Sequence, residues 1–457
     1  MLSKEELCSF YTESEAIQFL MASLLQAGPE DSVLEPCAGD GALVKAVMAY
    51  SQPKSFTLIE LDSAACENLK EKFSFPLFEA DTLLGELPPA FENSFDKVIG
   101  NPPFGAYQSR ERRAALKKRF PGHYVKETYS LFLLRSLELL KEGGRLVFII
   151  PDTFLYLVRH SHLREKLLEG TTIEKIILFP SRFFKSVKFA YSGLCIISLR
   201  KGRSRDSQIE VHFNLGSDAE LFKIARHEEG DRSTRQWKQS ELSARTMCFL
   251  TTSPSLLEKG IPLGEVCSIV TGLYTGDNTR FVTKAGKPEE GTIPFFKGAK
   301  AGRYDYGEHR YFVRWDKEAL NYYQTNKKAR FQNSSFYFHE GIGVPMVKST
   351  RLKAFFMEGI VFDQSVVGVF PKDPSLLDYL LAFLNSSVAD TLIRSINPTA
   401  NNSANYLKRL PLIFPDKAEI DIISELSRTL RNKKISVSQR MAVETDIDER
   451  FKKLYGF

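Results

Sequence analysis

Apolar positions along the first half of the chain change rhythm repeatedly, and each change marks an element. Behind Thr12, residues Ile17, Leu20, Met21, Leu24 and Leu25 fall at helical spacing. They predict a helix over 12–26 with Thr12 as its N-cap and Glu15 completing a capping box. The stretch SVLEPCAGDGALVKAVMAY then reads as strand, glycine-bearing turn and helix, and FTLIELD, PLFEAD and FDKVIG read as three further strands. Residues 127–141 carry a long apolar stripe that predicts a helix stopping at Gly143-Gly144. RLVFIIP, IEKIILFP and GLCIISLR supply a fifth, sixth and seventh strand. Near-continuous apolar strands alternating with helices imply parallel βαβ units with both sheet faces covered.

The rhythm is lost over 201–240, a polar and charged stretch that predicts a linker holding a strand or two. From Ile261 onward, aromatic and β-branched residues alternate with Gly and Asn turns, as in SIVTGLYTGDNTRFV and GIVFDQSVVGVF. This pattern predicts a second, α+β domain, closed by a helix from about Pro374 and another from about Ala418. A division into residues 1–243 and 244–457 follows, and a chain of 457 residues can give each part its own core.

Composition narrows the class. No apolar run approaches the roughly 18 residues of a membrane span, and Met1-Leu2-Ser3-Lys4-Glu5-Glu6 lacks the basic start and apolar core of a signal peptide. Six cysteines without a CxxC pair fit reduced thiols in a cytoplasm and argue against a zinc site, so no metal is expected. His160 and His162 lack a cysteine or carboxylate at ligand spacing and read as a solvated helix start. The net charge of +6 is unevenly placed: residues 1–260 hold 34 Lys/Arg against 34 Asp/Glu, and residues 261–457 hold 28 against 22. A basic half joined to a neutral half suggests a polyanion partner for the basic one.

Two short stretches carry candidate chemistry. In DKVIGNPPFGAY a buried strand ends on Asn101-Pro102-Pro103-Phe104. Proline lacks the ladder N–H and fixes φ, so the turn is rigid and holds Asn101 and Phe104 at the strand's end. In an open α/β sheet, ligands bind at that end. EPCAGDG, at the first strand-to-helix turn, has small residues Ala38, Gly39 and Gly41 that let the backbone approach a ligand. Its acids, Glu35 and Asp40, would repel a phosphate and suit a cationic ligand, such as one with ammonium and sulfonium centres. Glu60 ends the second strand, 19 residues past Gly41, where an acid commonly takes ribose hydroxyls, and Asp81 ends the third.

In this order the motifs resemble the S-adenosylmethionine-dependent amino-methyltransferases, specifically the gamma arrangement of DNA adenine-N6 methyltransferases of restriction–modification type. YTESEAIQFL resembles motif X, VLEPCAGDGAL motif I, LIELD motif II, EADTL motif III and DKVIGNPPF motif IV. GGRLVFIIP and FFKSVKFAYSGLCIISL resemble motifs VI and VIII, so the likeness covers about the first 200 residues. The resemblance implies a Rossmann-like class I methyltransferase sheet in 1–243. The second domain resembles a DNA target-recognition domain through IPLGEVCSIVTGLYTGDNTRFV and NPTANNSANYLKRLPL.

Site roles follow from the resemblance residue by residue. The Asn101 side-chain oxygen and the Pro102 carbonyl would accept from the exocyclic amine of a purine, aimed by Pro102 and Pro103. Phe104 would stack on the flipped base, with Phe184, or Phe183 as runner-up, on its other face. In the cofactor pocket, Glu35 would lie near the methionine moiety, with Pro36, Ala38, Gly39, Asp40 and Gly41 forming the loop. Glu60 would take ribose and Asp81 the adenine amine, while Tyr11 and Thr12 would close the methionine end. The basic residues Arg110, Arg112, Arg113, Lys117, Lys118 and Arg119 would form either a solvated helical loop or a grip on phosphates. The expected partner is double-stranded DNA, with S-adenosyl-L-methionine as cofactor and a monomeric cytoplasmic enzyme; the sequence begins almost at motif X, which disfavours a cleaving fusion, so any cognate restriction endonuclease would be a separate chain. Rival readings are methylation of RNA adenine or guanine or of a protein glutamine, and a non-catalytic DNA-binding subunit of a restriction complex. The basic second domain favours DNA, the intact NPPF and EPCAGDG favour catalysis, and the leading Asn favours adenine over cytosine N4.

Overall fold

The structure, a computed structural model, describes residues 12–104, 108–180, 183, 193–204, 207–213, 215–228, 234–242, 260–284, 289–298, 302–305, 307, 311–347, 351–397, 401–432 and 434–457. The chain divides into two compact units, Met1–Phe249 and Leu250–Phe457.

The first unit is built on nine strands: β1 Ser32–Glu35, β2 Ser55–Glu60, β3 Leu77–Glu79, β4 Phe95–Gly100, β5 Leu140–Pro151, β6 Thr171–Pro180, β7 Gly193–Lys201, β8 Gln208–His212 and β9 Thr234–Lys238. They lie in the order β3-β2-β1-β4-β5-β7-β6-β8-β9. β1 to β5 pair in parallel, and β7 runs antiparallel between β5 and β6. All seven predicted strands are present. Their apolar runs are buried on both faces, as with Ile149, Ile150, Ile176, Ile177, Ile196 and Ile197. The order reverses between β1 and β4, which opens a crevice beyond their carboxyl ends.

Helix α1, Glu15–Leu25, buries Ile17, Leu20, Met21, Leu24 and Leu25, each worth roughly 1.5–3 kcal/mol when fully buried. Its N-cap is Ser14, whose hydroxyl accepts from the Ile17 N–H at 3.3 Å, and not Thr12. The helix predicted over 127–141 runs from Tyr129 to Leu139. It ends there because Leu140 already pairs with Phe95, and Gly143-Gly144 fall where the register slips between Phe95 and Lys97. The polar stretch 201–240 is no linker: β8 pairs in parallel with β6, and β9 pairs with β8. Between them, helix Asp218–Ala225 sets Phe222 against Phe19 of α1, with ring centroids 5.7 Å apart. His160 is likewise no solvated residue; it is buried, whereas His162 is exposed and faces Glu165.

The second unit is α+β, as its alternation predicts. β10 Ile261–Pro262 pairs with β19 Pro411–Leu412. One four-stranded sheet has the order β11-β18-β15-β16, formed by Cys267–Thr271, Val366–Pro371, Gly341–Pro345 and Phe355–Met357. The other has the order β12-β14-β13-β17, formed by Val282–Lys284, Tyr311–Arg314, Thr292–Phe296 and Val361–Phe362. Helices Leu377–Asn385, Ser387–Ile396, Lys417–Arg431 and Val437–Tyr455 pack a core around Leu380, Phe383, Leu392 and Phe451. Asn397 and Asn402, from the NPTANNSANYLKRLPL stretch, are buried; the Asn397 amide donates to the Asn401 carbonyl at 2.6 Å. Among the described residues, no single helix is long and apolar enough to cross a membrane.

Candidate active site

The carboxyl ends of β1 and β4 lie side by side, with Leu34 in register with Val98. The two turns that leave them therefore meet. A Cβ on Gly100 would stand 3.5 Å from the Cys37 sulfur.

The turn after β1 is held from several sides. The Ala38 N–H donates to the Ile59 carbonyl at 3.1 Å, and the Thr82 hydroxyl donates to the Pro36 carbonyl at 2.5 Å. Gly41 sits at φ +80°, where a Cβ would meet the Phe73 ring at 2.4 Å, so only glycine fits. The following helix, Ala42–Tyr50, starts at this point, and the Asp40 carboxylate accepts from the Ala42 N–H at 3.1 Å.

The acids divide into two groups. Glu35 is buried, and its Oε2 has no hydrogen-bond partner among the described residues. Burial, reinforced by the nearby Asp40 and Glu60 carboxylates, pushes the Glu35 carboxyl well above its usual range. Glu60 ties the second strand to the glycine turn: its Oε2 accepts from the Gly39 N–H at 2.7 Å, and its Oε1 from the N–H groups of Leu61 and Asp62 at 2.8 and 2.9 Å. Glu35, Asp40 and Glu60 thus form one negative cluster, and a cation is the ligand that offsets it.

Asp81 stands differently from its expected role. Its Oδ1 accepts from the Leu83 N–H at 3.0 Å, and its Oδ2 is paired with the Arg112 guanidinium. Arg112 lies on helix Arg110–Arg119, which comes after the Asn101–Phe104 turn in the chain and buries only Leu116. The basic run is therefore a helix with an exposed face, anchored through Arg112 to the third strand's end. A ligand's amine would share Asp81 with a guanidinium. Sequence spacing could not show this pair, which joins residues 31 apart with no periodic signature.

At the end of β4, the Asn101 amide nitrogen donates to the Thr12 hydroxyl at 3.1 Å. Thr12 thus stands next to Asn101 and caps no helix. Phe104, expected to stack on a base, is buried, only 1 % exposed. Phe183, the runner-up for the second stacking position, packs on Phe179 at 5.5 Å. Tyr11 and Phe184 lie outside the described residues. A further contact went unforeseen: the Thr128 hydroxyl donates to the Pro103 carbonyl at 2.7 Å.

The nine-stranded mixed sheet, with parallel strands β1 to β5 and an acid-lined glycine turn at its reversal point, is a fold shared with a solved restriction-modification enzyme. Residues 46–184 match the Eco57I restriction-modification methylase family. Over 429 residues the chain is 27 % identical to the type II methyltransferase M.TthHB8I of Thermus thermophilus, a match covering 88 % of this chain and 90 % of that protein. It is 25 % identical over 262 residues to the type II restriction enzyme and methyltransferase RM.Eco57I of Escherichia coli, a match covering 54 % of this chain and 24 % of that one. Among solved structures, the type IIL restriction-modification enzyme MmeI, determined in complex with DNA, matches with a TM-score of 0.63 at 13 % identity, over 97 % of this chain and 72 % of that one. The chain is thus similar to restriction–modification methyltransferases, spanning nearly the whole of one relative and about a quarter of another.

Proposed function

We propose that this protein transfers a methyl group from S-adenosyl-L-methionine to N6 of an adenine flipped out of double-stranded DNA. The observation that carries the reading is the buried, unpartnered Glu35 oxygen beside the Asn101-Pro102-Pro103-Phe104 turn. A cationic donor pocket and an amine-binding turn share one crevice. The cofactor, when bound, supplies an electrophilic methyl on a sulfonium centre. The chain's part is to bind, aim and exclude. With its nitrogen tied to Thr12, the Asn101 amide turns its oxygen to the opposite side. An adenine amine is a poor nucleophile because its lone pair is conjugated with the ring. Acceptors at the Asn101 oxygen and the Pro102 carbonyl draw its protons and favour tetrahedral geometry, which is preorganised electrostatics with proximity. Tritium transfer from labelled cofactor to genomic DNA of a host lacking adenine methylation tests this. Label in N6-methyladenine is expected, and label in cytosine, RNA or protein alone would refute it.

Glu35 adds a pH signature. Burial and the neighbouring carboxylates raise its pKa well above the usual range and so favour its neutral form in the free protein, while a cationic ligand favours the ionised form. Cofactor binding should therefore release a proton, and affinity should rise with pH until the raised pKa is passed. Calorimetry in two buffers of different ionisation enthalpy reads this directly. Equal apparent heats would contradict it, and the demethylated cofactor, which lacks the sulfonium charge, should release less.

The two units take separate roles in this reading, with the second choosing the DNA site. A soluble fragment ending at Phe249 should keep cofactor binding, because Glu35, Glu60 and Asp81 all lie within it. It should lose sequence selectivity, as read by competition between modified-site and scrambled duplexes over a range of salt. Retained discrimination would move recognition into the first unit. The cytoplasmic setting, the monomeric state and a cognate endonuclease on another chain belong to the same proposal.

A further inference from the structure

A buried polar network stands behind the Asn101–Phe104 turn, and the reading above gives it no part. Three consecutive residues, Glu127, Thr128 and Tyr129, each anchor a side chain in a different place. The Thr128 hydroxyl donates to the Pro103 carbonyl at 2.7 Å. The Tyr129 hydroxyl lies 2.8 Å from the Thr153 hydroxyl and 3.0 Å from His160 Nε2. His160 Nε2 also lies 3.2 Å from Glu127 Oε2, and Glu127 Oε1 accepts from Arg159 at 2.5 Å. Thr128, Tyr129 and His160 are all buried.

Thr128 holds the N-cap position of helix Tyr129–Leu139, where a threonine hydroxyl ordinarily accepts from the helix N–H groups. It makes no such bond. The hydroxyl is turned instead to a carbonyl 25 residues away, inside the turn that carries Asn101 and Pro102. His160 does likewise: it stands at the N-cap of helix Ser161–Gly170 without capping it, and gives its ring to Tyr129 and Glu127. Two helix starts have each forgone a cap for a buried contact on the far side. Buried networks of this kind hold a segment in one arrangement, because every member loses a partner if it shifts. A purely apolar contact would pack the same space without fixing the Pro103 carbonyl.

We propose that Thr128 is a positioning residue for methyl transfer, its hydroxyl fixing the Pro103 carbonyl and thereby the aim of Asn101 and Pro102. The Glu127–His160–Tyr129–Thr153 network keeps Thr128 in register. The inference rests on the methyl-transfer reading above. A displacement of the reacting groups by about 1 Å can cost on the order of 10²-fold in rate. Thr128→Val keeps the shape and removes the hydroxyl; Thr128→Ser keeps the hydroxyl. Both are assayed for labelled methyl transfer to adenine-unmethylated genomic DNA, beside cofactor calorimetry and thermal melting. Thr128→Val is expected to lose roughly 10–10²-fold in kcat, with KM for DNA and cofactor affinity near wild type, and Thr128→Ser to recover most of the rate. If Thr128→Val folds poorly, Tyr129→Phe removes only the second tie and should lower kcat several-fold. Wild-type kcat in Thr128→Val, or a loss that follows melting temperature and is not rescued by serine, would overturn the inference while leaving the methyl-transfer reading intact. A wild-type chain that methylates no DNA would overturn both.

Discussion

Asn101→Ala is expected to abolish methyl transfer, lowering kcat by about 10²–10³-fold or more, while cofactor affinity stays within a few-fold of wild type. The magnitude is that of removing one preorganised group aimed at the reacting centre. On the Thr12 side the Asn101 amide nitrogen donates to the Thr12 hydroxyl at 3.1 Å. Losing that bond costs on the order of 1 kcal/mol, far less than the catalytic loss. In the proposed mechanism the amide oxygen acts on the target amine, so the missing interaction would be one made in the transition state and would appear in kcat rather than in ligand binding. Methyl-transfer kinetics beside calorimetry of cofactor binding separate the two. Wild-type kcat would refute the assigned role, and a collapse of cofactor binding would place Asn101 in the donor pocket instead.

Glu60→Ala should act in the complementary way, through the cofactor. The carboxylate accepts from the backbone N–H groups of Gly39, Leu61 and Asp62, so its removal leaves three donors without their acceptor and loosens the glycine turn. In the proposed pocket it would also remove the acceptor for the ribose hydroxyls. Charge-assisted bonds of this kind contribute about 1.5–3 kcal/mol each, but turn and ribose are coupled and do not add. A loss of about 2–4 kcal/mol in cofactor binding is expected, on the order of 30- to 10³-fold in Kd. Glu60→Gln, which keeps one acceptor, should fall between. DNA affinity measured without cofactor should hold in both. Preserved cofactor affinity with failed DNA binding would show that the turn after β1 serves another ligand.

The sequence made most strands legible for a physical reason: β1, β2 and β4 to β7 lie inside the sheet, and strands covered on both faces read as unbroken apolar runs. The edge strand β9, Thr234–Lys238, is largely exposed, and its neighbour β8 is only partly buried, so this end of the same sheet looked like a linker. The capping-box spacing from Thr12 to Glu15 was misleading because the Thr12 hydroxyl is taken by Asn101, a partner 89 residues away. Gly143-Gly144 resembled a helix stop, but strand pairing with Phe95 ended the helix earlier.

The candidate site was legible where its chemistry is local. Glu35, Gly39, Asp40 and Gly41 follow one strand, and Asn101 to Phe104 another, so each cluster announced itself in a single window. Contacts between windows did not. The pairing of Asp81 with Arg112 and the hold of Thr128 on Pro103 depend on where a helix lands after a turn, which no periodicity records. His160 was misjudged because its carboxylate partner, Glu127, is 33 residues away and outside any ligand spacing.

The central claim is that this chain marks adenine N6 in DNA, and single-molecule sequencing that reads modified bases tests it most directly. DNA from cells lacking other adenine methyltransferases would be compared after expression of the wild-type chain and of Asn101→Ala. N6-methyladenine at one recurrent short sequence with the wild type, and its absence with Asn101→Ala, is the predicted result. Unmodified adenine in both, with well-folded protein that binds the cofactor, would contradict the account.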